Sequence, residues 1–135
     1  MALQLSVALR NAGLDAYETA TGASAILRIR TGSAPADCAT ADSGTVLATL
    51  NLPSDWMAAA SSGSKAKSGT WEDTSADNTG TAGHFRIYAS DGTTCCFQGT
   101  ITATGGGGDM TLDNTSIASG QQVTITSFSL TAGNA

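Results

Sequence analysis

Charged side chains are scarce in this sequence. Asp, Glu, Lys and Arg make up 13% of its 135 residues, where soluble domains usually carry roughly 25%. Six of them are basic, scattered as Arg10, Arg28, Arg30, Lys65, Lys67 and Arg86, and the formal net charge is −5. Without clustered Lys and Arg the chain cannot displace counterions from a phosphate backbone, which argues against nucleic-acid binding. It also has no polybasic patch for an anionic membrane. Long apolar runs are missing, so nothing approaches a membrane-spanning helix. The opening "MALQLSVALRNAGLDAY" lacks the basic region and continuous apolar core of a signal peptide. Three cysteines cannot all pair within one chain, which disfavours a disulfide framework and fits synthesis in a reducing cytoplasm.

What the chain does have is Ala, Thr, Ser and Gly, about half of its residues. Thr suits a pleated surface and Gly suits turns, so the composition favours thin, close-packed β structure. Residues 1–22 are expected to form an N-terminal helical segment, with Ser6 as N-cap, Val7, Leu14 and Tyr17 along one stripe, and Gly22 as the stop. Residues 23–135 read as strands and loops of the same single domain. In 24–32, Leu27 and Ile29 face inward, opposite Ile26, Arg28 and Arg30; 33–44 is a polar loop. In 45–53, Val46, Ala48, Leu50 and Leu52 share a face until Pro53 stops the strand. Residues 54–83 have little periodicity and should hold one or two short strands among loops.

The second half alternates more regularly. "HFRIYAS" sets Phe85, Ile87 and Ala89 against Arg86 and Tyr88, and Asp91-Gly92 signals a hairpin. On the returning strand Cys95, Phe97 and Ile101 are expected on one face. "DMTLD" reads as a short strand. In "QVTITSFSLTA" the apolar phase slips between Ile125 and Phe128, which a β-bulge near Ser127 would absorb. The expected fold class is mostly β, a β-sandwich or jelly-roll-like domain of roughly six to eight strands with one short N-terminal helix.

Reactive groups do not converge. His84 is the single histidine, and the adjacent Cys95 and Cys96 point to opposite faces of a strand, so a zinc site lacks ligands and a thiol nucleophile lacks an oriented base. Glu72 and Asp73 likewise diverge in a strand, and Asp73, Asp77 and Asn78 lack the EF-hand spacing. "GSKAKSGT" has no Gly-Lys-Ser/Thr, and "TGGGGDM" leads into a strand, so neither makes a phosphate loop. No Gly-x-Ser-x-Gly elbow occurs. No enzyme, cofactor or metal is expected. Trp56, Trp71 and Tyr88 could stack on sugar rings; core plugs or interface anchors are the blander reading of the two tryptophans.

The segments "MALQLSVALRNAGLDA", "LRIRTGSAPA", "GTVLATLNL", "TGTAGHFRIYASDG" and "TSIASGQQVTITSFSLTAG" together resemble small virion proteins of tailed bacteriophages. The resemblance spans nearly the whole chain and rests on turns and strand cores. It implies a non-enzymatic particle component made in the host cytoplasm. The role it implies is a capsid decoration (cement) protein touching the major capsid protein, or else a tail or head–tail accessory subunit. A homo-oligomer, with a trimer as the guess, follows from the closed symmetry usual for such subunits. A carbohydrate- or host-surface-binding module is the third reading. The N-terminal segment and the 54–83 stretch are the expected contact surfaces, with Trp56, Met57 and Trp71, outside any confident strand, as the contact residues.

Overall fold

The structure is a computed structural model describing residues 3–132; residues 1–2 and 133–135, which the single-domain expectation includes, lie outside the described residues. The chain is mostly β with one N-terminal helix, α1 (Val7–Thr21). The Ser6 hydroxyl accepts from the Leu9 amide at 3.1 Å, and Gly22, at φ +91°, donates to the Glu18 carbonyl and ends the helix. Both termini match expectation. The stripe does not: Leu14 is buried, but Val7 and Tyr17 are 47% and 43% exposed.

Five strands form the spine of the main sheet, in the order β2 (Val46–Asn51), β1 (Ile26–Thr31), β5 (Gly80–Tyr88), β6 (Cys95–Ala103) and β7 (Met110–Leu112). A sixth, β8 (Ser116–Ile117), pairs with the start of β5. All pairings are antiparallel except β6 with β7, so the sheet is mixed, and it curls into a half-barrel instead of forming a clear sandwich or jelly roll. Two small sheets complete the fold: β3 (Ser64–Ala66) with β10 (Ser129–Thr131), and β4 (Trp71–Asp73) with β9 (Val123–Ile125). The irregular 54–83 stretch thus contributes β3, β4 and the first residues of β5.

Leu27, Ile29, Phe85 and Ile87 project from the inner face of the main sheet into one core with Leu50, Met110, Ile117, Val123 and Ile125. The aromatics close a ring there. Phe97 meets Trp56 at 6.2 Å, Trp56 meets Trp71 at 6.0 Å, Trp71 meets Phe128 at 5.7 Å, and Phe85 returns from Phe128 to Phe97 at 5.8 and 6.5 Å. These spacings suit edge-to-face and offset contacts. Both indole N–H groups are satisfied: Trp56 donates to the Gly22 carbonyl, Trp71 to those of Trp56 and Ser68.

Three expectations about register are corrected. The slip between Ile125 and Phe128 is not a bulge near Ser127; β9 and β10 belong to different small sheets, and the chain changes sheet between them. In β6 a bulge lies between the pairs Ile87–Phe97 and Tyr88–Cys95, so Cys95 turns to the face opposite Phe97. In β2 a further irregularity lets both Leu47 and Ala48 reach the interior.

Candidate functional site

The hairpin expected at 84–101 is present, and its connection is built by Asp91. That carboxylate accepts from the Thr93 and Thr94 amides and the Thr94 hydroxyl at 2.8, 2.9 and 2.6 Å, with Gly92 at φ +73°. The Thr94 hydroxyl and the two amides hold the Asp91 carboxyl down at a pKa of about 2. His84 is fully buried; its Nδ1 lies 2.9 Å from the Gly32 carbonyl, and Nε2 has no partner. Gly83 beside it permits this approach, since a Cβ there would overlap the Gly32 backbone. Cys95 turns away from the face it was expected to share with Phe97 and Ile101. It is joined in a disulfide to Cys38, 57 residues earlier, and Cys96 is the free cysteine. Three cysteines disfavour a framework of several bridges but leave room for one pair and one thiol, which is what the fold holds.

The bridge brings loop 33–44 across the outer face of the main sheet. Arg28, Arg30, His84, Arg86 and Tyr88 occupy registered positions on that face, Arg28 opposite Arg86 and Arg30 opposite His84. Four of them are almost wholly covered, with Arg30 at 7% exposure and Arg86 at 2%. Asp42 answers them. It receives Arg86 at 2.7 Å, Arg30 at 3.1 Å and the Tyr88 hydroxyl at 2.7 Å. Burial works against the Asp42 charge, but these hydrogen bonds and the two guanidinium charges prevail and keep its pKa lowered. Burial, then the hydrogen bond to Asp42, raises that of Tyr88. Arg86 also donates to the Asp37 and Thr40 carbonyls and to Gln98, which in turn donates to the Pro35 carbonyl. Sequence reading exposed the alternation of these arginines with apolar residues but not the loop that covers them.

The other candidates are structural. The Asp73 carboxylate accepts from the Thr49 and Ser75 amides, that of Asp77 from the Thr49 hydroxyl, and that of Glu72 from Gln122. Among the described residues no group of three or more His, Cys, Asp or Glu is arranged to hold a metal ion. "GSKAKSGT" contains β3, and Gly106 and Gly108 fold tightly onto Thr102. Trp56, Met57 and Trp71, expected at a contact surface, are 0–1% exposed. Their size places them in the core, where the aromatic ring needs them, and neither they nor Tyr88 leave a ring face open to a sugar.

The exposed apolar surface lies elsewhere. Leu3, Val7, Leu9 and Tyr17 are the exposed large hydrophobics among the described residues, all in the N-terminal segment. Helix α1 is inverted in polarity. Its charged residues turn toward the protein: Asp15 and Glu18 hold the buried Lys65 ammonium at 2.8 and 3.1 Å, and Arg10 donates to the Ala132 carbonyl. Asn11, Asp15 and Glu18 also accept from the amides of Gly63, Ala60 and Met57. Burial opposes the charge on Lys65, yet its hydrogen bonds to Asp15 and Glu18 outweigh burial and raise its pKa. The opposite side presents Ala8, Leu9, Ala12, Gly13, Ala16, Thr19 and Ala20, all exposed and none charged. No described helix is long and apolar enough to cross a membrane. No family model, curated protein or solved structure matches the chain.

Proposed function

We propose that this protein is a non-enzymatic structural subunit of a tailed-bacteriophage virion, a capsid decoration protein that bridges neighbouring capsid subunits. One observation carries the reading: the uncharged, exposed outer side of α1 together with Leu3 and Leu9. A helix that spends its charged residues on its own protein and offers Ala and Leu to solvent is built to be covered. Spacing of Ala8, Ala12, Ala16 and Ala20 by four residues puts them in one row, where a neighbouring backbone can approach closely. Helix α1 is about 22 Å long at 1.5 Å per residue. Its single face is smaller than the roughly 800 Å² per partner of a stable two-body complex. Such a contact becomes effective when many copies act on one shell. In the finer reading, the two small sheets packed across the main one act as the second layer of a sandwich-like wall, and three copies gather about a local threefold.

The test is binding to purified capsids lacking the protein. The wild-type chain should sediment with heads and raise their resistance to heat, whereas Ala12→Glu and Ala16→Glu, which leave the fold intact, should lose both effects. Sedimentation with tails alone, or heads unchanged in stability, would replace this reading with that of a tail or head–tail accessory subunit. Retention of both effects by the two variants would remove α1 from the contact.

A further inference from the structure

Loop 33–44 covers buried guanidinium groups while sending none of its side chains into the hydrophobic core. Its residues are exposed or half-buried, and its small apolar side chains, Ala34, Pro35, Ala36, Ala39 and Ala41, give it little apolar surface to bury. At its base the Thr31 amide donates to the Thr45 carbonyl, and the Thr45 amide to the Thr31 hydroxyl. Between those ends it is held by the Asp42 contacts, by the carbonyls of Pro35, Asp37 and Thr40, and by the Cys38–Cys95 bond. Water competes for the Asp42 anchor, because that side chain is itself 42% exposed. Beneath the loop, two buried nitrogens, Arg30 Nε and His84 Nε2, have no hydrogen-bond partner. Admitting water to them lowers the cost of opening.

We propose that loop 33–44 is a redox-latched cover over the arginine face. With Cys38 and Cys95 joined it stays shut; when the bond is reduced it opens, exposing Arg30 and Arg86 while the core stays folded. The step needs an external dithiol. Its two sulfurs become a disulfide as Cys38 and Cys95 each take up one electron and one proton. Opening presents Arg28, Arg30 and Arg86 side by side, a donor set for carboxylates, the group that Asp42 supplies in the shut state. The core is spared because the aromatic ring lies on the inner face of the sheet, away from the loop. This inference uses none of the α1 surface residues that carry the proposed function.

The experiment uses the full chain carrying Cys96→Ser, so that the free thiol cannot exchange with the bond. Arginine labelling by phenylglyoxal, mapped by peptide mass, and amide exchange over 33–44 are compared with and without dithiothreitol. Near-ultraviolet circular dichroism of the buried tryptophans reports the core. Reduction should speed labelling of Arg30 and Arg86 by about ten-fold or more and deprotect 33–44, with the tryptophan signal unchanged. Cys38→Ser in the same background should behave as the reduced protein without reductant. Equal labelling in both states, loss of the tryptophan signal on reduction, or free Cys38 and Cys95 in air-equilibrated protein would each overturn the proposal.

Discussion

Lys65 shows how one buried charge fastens an element. Its ammonium, on a side chain 2% exposed, is shared by Asp15 and Glu18 of α1 and the Ala58 carbonyl. Lys65→Ala leaves two carboxylates facing each other without their cation and should cost about 1–3 kcal/mol, below the full penalty of a buried pair because Asp15 is half-exposed; urea unfolding measures it. The pKa of Lys65 is raised in the folded state. Its contribution is therefore complete below the unfolded value of about 10.4 and disappears as pH rises through the higher folded value. Stability curves from pH 9 to 12 should fall in the wild type and lose that component in Lys65→Ala. Asp91 has the opposite sign. With its folded pKa at about 2, its support of the turn is present above about pH 4 and is lost as pH falls toward 2. A carboxyl titration by NMR should place Asp91 near 2; a value close to 3.8 would mean that the Thr93 and Thr94 hydrogen bonds do not persist in solution.

At the scale of elements, chain-local signals and long-range ones part company. The N-cap Ser6, the stop at Gly22 and the Asp91-Gly92 turn act within a few residues, so they were legible before any fold was known. The disulfide was not: Cys38 sits in a loop and Cys95 on a strand, and a bulge that sequence alternation conceals turns Cys95 toward the loop. Closing a loop of 57 residues removes unfolded-state entropy equivalent to about 4 kcal/mol. Cys38→Ser should therefore lower the thermal midpoint by many degrees while leaving a cooperative transition, as differential scanning calorimetry would show. The same logic explains the divided strand at 123–131. A slip in the apolar phase says that the chain shifts, but whether by a bulge or by a change of sheet depends on which strands wait on either side.

Across the whole molecule the two tryptophans lie in the core, while the N-terminal segment, the other contact surface expected from the sequence, keeps its large apolar side chains in the open. Trp71→Ala should destabilise the protein by about 3–5 kcal/mol, since it opens the aromatic ring at its centre. Ala16→Glu, on the exposed side of α1, should change the isolated chain by less than about 0.5 kcal/mol. Paired urea titrations of the two variants separate core from surface directly. Composition and alternation alone determined that the chain is mostly β with an N-terminal helix, because those preferences belong to neighbouring residues. Tertiary structure decided what faces water. An indole in an irregular stretch, an arginine on a strand and an alanine on a helix carry no mark of their cover, which is provided by segments tens of residues away and settled only when the sheets curl and the loops close over them.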